Sequence, residues 1–176
     1  MEVKKSSALY QLRWVTRVLA VVILTVMAIG MLLPNKYHIE RSIFINSPEE
    51  RVSLYLADLG SWEQWMYLPN EGVFTLPEEE DSTASLIIKN PDADNGVVSI
   101  DSFEQAGVVF SVVTKLGVLP VSNHLSWARE GRGVRIVWVV EGELRAGLIS
   151  PYLAFFANDI AGSNLEKSLE NLKNKL

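Results

Sequence analysis

The side chains that could carry chemistry are few. His38 and His124 are the only imidazoles, and the sequence contains no cysteine. Thiolate catalysis, disulfides and cysteine metal sites are therefore excluded. His124 lies in an alternating run, Val121 to Glu130, and a neutral imidazole on an apolar wall can move a proton at physiological pH. Ser122, Ser126 and Asp159 are the groups that could orient a substrate beside it. A lone histidine on such a strand more often holds a ligand or satisfies the core, so His124 is a weak catalytic candidate. His38 suits a strand surface or the level of lipid headgroups. The Gly-x-Ser-x-Gly elbow of hydrolases, the Walker phosphate loop and the dinucleotide fingerprint are all missing. Asp92 to Gly96 resembles the opening of a calcium loop, but its glycine comes one place early and Phe103 stands where the bidentate glutamate belongs. It reads as an Asx-type turn, and the acidic run Glu78 to Asp81 reads as a solvated loop. No metal and no cofactor are expected.

Any site must be positioned by strands and one long helix. Pro151 to Leu176 carries Leu153, Phe156, Ile160, Leu165, Leu169, Leu172 and Leu176 at steps of three to five, which predicts an amphipathic helix roughly 39 Å long. Ser150 is placed to cap it and Pro151 to occupy its first position. The phase slips around Gly162 and Ser163, where a missing side chain lets something approach closely. Tyr37 to Ile45 predicts a strand; Ser47-Pro48-Glu49-Glu50 predicts a capping box opening a helix to about Leu59; a short second helix is expected over 61–66. From residue 84 the period becomes two, with strands expected at 84–89, 96–104, 107–115, 121–130 and 133–143 joined by hairpin-length turns. Such links predict an antiparallel meander.

Charges sort the faces of these strands. Keeping Arg129, Arg135 and Glu141 in solvent turns Ser122, His124, Ser126 and Ala128 inward, beside Val134, Ile136, Trp138 and Val140. Lys115 outward puts Phe110, Val112 and Thr114 inside, and Asp101 outward does the same for Val98, Ile100 and Ser102. The expected wall is apolar with a few hydroxyls, an imidazole and an indole, which suits a greasy ligand with a polar handle or a core whose polar members bond to backbone. Trp62, Trp65, Met66 and Tyr67 can form a pocket lid, dip into lipid, or pack on the last helix.

Residues 14–33 form an apolar run interrupted by Arg17, long enough to cross a bilayer, with Trp14 suited to the headgroup belt. A cleaved signal peptide with Ala28-Ile29-Gly30 as its small-x-small site is the competing reading, although the apolar stretch continues past that site. Lys4, Lys5, Arg13 and Arg17 precede or open the run, so the N-terminus is expected to be cytoplasmic and the body extracytoplasmic. Residues 1–36 thus form a tail and anchor, and 37–176 one domain. That domain carries eleven basic and twenty acidic side chains, a balance that argues against nucleic acid as a partner.

A strand, two short helices, a run of antiparallel strands and a long last helix make an α+β helix-grip order. The sequence resembles the SRPBCC superfamily, the polyketide cyclase/dehydrase and START-like lipid-transfer relatives. Three passages carry the resemblance: Tyr37 to Ile43 with Ser47-Pro48-Glu49-Glu50; Trp62 and Trp65 as Trp-x-x-Trp; and Gly133 to Trp138 with Glu141-Gly142-Glu143, Gly162 and Leu169 to Lys173. It covers about residues 37–176 and implies a cavity between sheet and last helix for a hydrophobic small molecule or lipid. The side chains expected to contact that ligand are Phe110, Val112, His124, Ser126, Ile136, Trp138, Phe156, Asp159, Trp62 and Trp65. The alternatives are a cyclase- or dehydratase-like enzyme using His124 and a non-catalytic protein-interaction module.

Overall fold

The computed structural model describes residues 4–69, 72–75, 85–89, 95–113, 119–145 and 147–176. The expected Asx turn at Asp92, the acidic run Glu78 to Asp81, and the faces of Thr114 and Lys115 lie outside them. Helix α1 (Lys4–Leu32) leads through Pro34 into β1 (Lys36–Ile45), and α2 (Glu49–Ala57) and a 3-10 helix (Leu59–Gln64) follow. The remaining strands are β2 (Val73–Thr75), β3 (Ser85–Lys89), β4 (Gly96–Glu104), β5 (Gly107–Val113), β6 (Val121–Glu130) and β7 (Gly133–Glu143). A 3-10 turn (Gly147–Ile149) then opens α3 (Ser150–Lys175). Together they form one seven-stranded sheet in the order β1-β7-β6-β5-β4-β3-β2, antiparallel throughout, with α3 packed chiefly along β1. This is the α+β helix-grip fold. Strand β2 has no counterpart among the expected elements, because three residues are too few to show a period.

Alternation and turn chemistry account for most of the sheet. The Gly131-Arg132 link leaves Glu130 opposite Gly133, and Gly131 takes the left-handed backbone (φ 59°) that such a two-residue turn requires. Below it, β7 buries Val134, Ile136, Trp138 and Val140, as its pattern predicts. On β6 the faces are the reverse of expectation: Asn123, Leu125 and Trp127 are buried, while Ser122, His124, Ser126 and Ala128 lie on the outer side. The misleading charge is Arg129, which pairs with Val134 and shares the inner face, yet sits at the end of the strand where that face opens to solvent. Ser102 is also exposed, because a bulge between Ile100 and Ser102 shifts the register of β4. Val98 and Ile100 face inward as expected, and Asp101 in the bulge accepts a 2.7 Å hydrogen bond from Ser111.

Local endings differ from expectation at α2. Its N-cap is Pro48, with no side-chain cap bond, so the expected capping box is not formed; Ser47 is buried. Its C-terminal carbonyls, which have no partner within the helix, are served from the 3-10 helix instead. Ser61 Oγ donates to Tyr55 O at 2.6 Å, and the indole of Trp62 donates to Leu56 O at 3.0 Å.

Helix α3 is long and unbroken, but its two halves bury different faces. Leu165, Leu169 and Leu172 are buried as expected. In the first half the inward residues are small: Pro151, Ala154, partly Ala157 and Ala161, then Gly162. These continue the leucine stripe at helical spacing, whereas Leu153, Phe156 and Ile160 point away from the body. Gly162 has the close-approach role foreseen for it. A Cβ there would overlap the guanidinium of Arg41, which rises from the inner face of β1.

Candidate functional site

Two regions between sheet and helices could hold a ligand, and they differ in what fills them. Under the 3-10 helix the space is solid. Trp62 and Trp65 descend from that helix and are fully buried against Phe110 of β5 and Trp138 of β7. Their rings close a circuit, with centroids at 4.9 Å (Trp62–Phe110), 5.6 Å (Trp62–Trp65), 5.9 Å (Trp65–Trp138) and 6.0 Å (Phe110–Trp138). Tilted and edge-on arrangements of this kind are the favoured aromatic geometries. Ile136 and Leu125 complete the floor. The tryptophans are therefore core rather than a lid or a lipid anchor.

The polar handle of this wall is Asn123, which the sequence reading passed over. Its Oδ1 accepts from the Trp138 indole at 3.0 Å and its Nδ2 donates to Val121 O at 3.0 Å. A buried amide satisfied on both sides fixes the Trp138 ring in one orientation. The Trp65 indole nitrogen, by contrast, is buried with no hydrogen-bond partner among the described residues.

The end of the sheet nearest α1 is more open. The start of β1 (Lys36), the end of β7 (Glu143) and the start of β6 (Val121) lie along it, and α3 begins beside the end of α1. A mainly apolar cleft of about 450 Å³ is lined by Leu33, Pro34, Lys36, Pro151, Tyr152, Ala154, Phe155 and Phe156. A second, more polar cleft of about 550 Å³ adjoins it at Lys36 and includes Tyr37, His38, Leu119, Pro120, Glu141 and Arg145. His38 Nδ1 lies 2.9 Å from Glu141 Oε1 on the exposed side of β1, the strand-surface position expected for it. The Tyr37 ring covers Gly142 so closely that a Cβ there would coincide with it.

Burial raises the pKa of the Tyr37 phenol above the ordinary value of 10.0. The neutral form is thus favoured in the folded state, so its stabilising contribution is complete below pH 10 and is lost as pH rises through the folded pKa. Tyr37→Phe is expected to lose less stability than the parent between pH 10 and pH values above the folded pKa. Denaturant titrations at stepped alkaline pH measure the difference, and parallel pH dependences would contradict it.

Arg41 pins the middle of α3. Its Nε donates to Glu166 Oε1 at 2.6 Å, its Nη1 to Asn158 Oδ1 at 3.3 Å and to Glu40 O at 2.9 Å, and its Nη2 to Asn158 O at 3.3 Å. The side chain is 25% exposed, and five-donor guanidinium geometry explains why arginine serves here. Further along, Ser168 Oγ accepts from the Tyr67 amide at 2.9 Å, and Asn171 donates to Trp65 O at 3.3 Å. The C-terminal half of α3 is thereby fastened, while its first turns lie beside α1 and border the cleft.

The expected ligand residues accordingly divide. Phe110, Ile136, Trp138, Trp62 and Trp65 are packed core; Val112 is half-buried toward the open end; Phe156 flanks the apolar cleft; Asp159 is exposed. His124 and Ser126 are on the outer face, away from α3. The His124 ring, 45% exposed, lies 3.4 Å from Glu104 Oε2. Of the eight residues lining the apolar cleft only Phe156 is among those expected; Tyr152, Ala154 and Phe155 fall off the apolar stripe that marks α3 in the sequence, and Leu33, Pro34, Lys36 and Pro151 lie at element ends, where periodicity carries no signal. Among the described residues no group of three or more histidines and acidic residues comes together to hold a metal ion.

Solved structures share this architecture at low identity. The protein XoxI from Bacillus cereus aligns with TM-score 0.61 at 15% identity, over 79% of this chain and 94% of its own. The di-domain ARO/CYC StfQ from the steffimycin biosynthetic pathway gives 0.61 at 11%, over 79% of this chain and 50% of its own. CV1439 from Chromobacterium violaceum gives 0.56 at 11%, over 79% and 96%. At such identities the likeness shows the fold alone. No curated protein matches the sequence. Residues 36–176, the whole of the grip, match the family described as polyketide cyclase / dehydrase and lipid transport. With its sheet, its Trp62–Trp65 pair and its last helix all accounted for within that match, the chain belongs to the polyketide cyclase/dehydrase and lipid-transport family of the SRPBCC superfamily.

Proposed function

We propose that the protein is a membrane-tethered carrier that takes a hydrophobic small molecule or lipid at the end of the grip next to α1. The observation that carries this reading is the 450 Å³ cleft, apolar on nearly every side and bordered by Lys36 at its polar margin. Helix α1 supports the tether: Tyr10–Leu32 has a mean hydropathy of 2.4 and presents its apolar side chains outward. Basic residues at Lys4, Lys5, Arg13 and Arg17 favour a cytoplasmic N-terminus, leaving the grip on the other side of the membrane. The family's description joins cyclisation and dehydration with lipid transport, and of these the carrier role is the one the site supports. His124, on the outer face, is not placed to serve a reaction inside the grip.

Ala154 tests the cleft directly. It is buried on the floor of the opening, so Ala154→Trp is expected to fill the space with an indole and displace whatever binds. Native mass spectrometry of the detergent-extracted parent should show an apolar adduct that the variant has lost, with cooperative thermal unfolding confirming that the variant folds. Ala154→Leu, a milder filling, should weaken uptake of a fluorescent fatty acid without abolishing it. Repeatedly empty spectra of the parent, together with no fluorescent-lipid uptake, would reject the proposal.

A further inference from the structure

Thirteen consecutive residues, Ala146 to Asn158, carry no charge, and they include the first two turns of α3. Within and just beyond that stretch Ile149, Leu153, Phe155, Phe156 and Ile160 turn away from the body, Phe155 with 77% and Ile160 with 69% of its surface exposed. Five large apolar side chains gathered at one end of one helix are not the scattered exposures of an ordinary surface. Phe155 and Phe156 meet edge-on at 5.4 Å and form part of the same ridge. The residues that do face the body here are small, Ser150, Pro151, Ala154, Ala157 and Ala161, so the bulk lies on the outside.

A hydrogen bond fixes where this ridge sits relative to α1. The Tyr152 hydroxyl donates to Val26 O at 2.6 Å. Val26 is six residues before the end of α1, hence about 9 Å along the helix from its end. If α1 spans, that level is inside the hydrocarbon, where water is absent and a phenol must find its partner on the protein. A backbone carbonyl of the span is such a partner. The outward side chains next to Tyr152 therefore share the level of residues 23–29, apolar but for Thr25, all of which are solvent-facing in the isolated chain save the partly covered Met27.

We infer that the first turns of α3 are sunk into the same bilayer leaflet that receives the end of α1, with Ile149, Leu153, Phe155 and Phe156 against acyl chains and Ile160 near the headgroups. The inference rests on reading α1 as a span and does not depend on any ligand occupying the cleft. The occupant of this face is lipid rather than a second protein because the face is continuous with the lipid-exposed side of α1 and is tied to it at depth. Its first charged residue, Asp159, comes where the helix would leave the hydrocarbon.

Absence of cysteine makes the test clean, since each introduced thiol is unique. Full-length Ile149→Cys, Leu153→Cys, Ile160→Cys, Ile23→Cys and Arg132→Cys are labelled with the fluorophore NBD in detergent and reconstituted into vesicles of phosphatidylcholine and phosphatidylglycerol with doxyl-labelled acyl chains. Neither Ile149 nor Leu153 lines the cleft, so ligand binding has no bearing on their signals. The expected result is blue-shifted emission and strong doxyl quenching at 149 and 153, as at 23, weaker quenching at 160, and several-fold less at the hairpin tip, 132. Polar, unquenched signals at 149 and 153 with a quenched 23 would overturn the inference and leave the span standing. Blue-shifted but unquenched signals would overturn it in favour of a second copy of the chain covering the face. An unquenched 23 would remove the span, and the inference with it.

Discussion

Trp62→Ala is expected to remove about 3–5 kcal/mol of folding stability, the range for deleting a fully buried indole. The loss has two sources. One is the space left between Phe110 and Trp65, whose rings stand 4.9 and 5.6 Å from the missing one. The other is the Leu56 carbonyl at the end of α2, which forfeits its 3.0 Å donor in a place that water does not reach. Conservative changes separate the two. Trp62→Phe keeps an aromatic ring but strands that carbonyl, whereas Trp65→Phe removes an indole N–H that has no partner among the described residues. Both lose similar volume, so Trp62→Phe should be the more damaging by about 1–3 kcal/mol, the cost of leaving a buried acceptor unserved. Urea unfolding of the three variants measures this, and equal losses for the two phenylalanine variants would contradict it.

A sign reversal is expected at Gly162. Alanine in mid-helix normally gains about 1 kcal/mol over glycine. Here its Cβ would strike the Arg41 guanidinium and push it off Glu166 and Asn158. Those charge-assisted bonds contribute about 1.5–3 kcal/mol each at most, trimmed because Glu166 is half in solvent. Gly162→Ala should therefore destabilise the parent by about 1 kcal/mol and stabilise Arg41→Ala by about the same amount, a coupling of about 2 kcal/mol within the usual span for touching residues. A double-mutant cycle by denaturant unfolding reads it. Additive effects would mean that the arginine swings aside at no cost.

Much of the architecture was legible because it is local. Period-two runs and two-residue turns gave five of the seven strands nearly to the residue, and β1 began where its β-branched and aromatic alternation begins. Faces were harder. On β7, Arg135 and Glu141 lie along the body of the strand and report its outer side faithfully; on β6, Arg129 lies one rung from the hairpin and is exposed although it shares the inner face with Val134. The turn itself held the correction, since Glu130 opposite Gly133 obliges Arg129 to share a side with Val134. Leu125 and Trp127 against Ser126 and Ala128 pointed the same way by volume alone. On α3 the error came from following size rather than phase. Large apolar side chains mark the inward stripe only as a rule of thumb, and beside α1 the first turns of α3 carry theirs outward. Arg41 left no signal, because Glu40 and Arg41 are adjacent charges on a strand and one must point inward.

The first strand and the last are neighbours in the sheet, and the bond from Asn35 to Glu143 joins residues 108 apart in sequence. Every other pairing in the sheet joins consecutive strands, so during synthesis each can form as its successor emerges, but β1 must wait for nearly the entire chain. Through that interval a ten-residue edge hangs unpaired from the end of α1, open to pairing with a neighbour's strand. Chains interrupted before β7 would keep that edge permanently, exposed to neighbouring copies of the chain. Misassembly of this protein should accordingly arise from truncation or stalled translation rather than from loss of stability in the finished sheet.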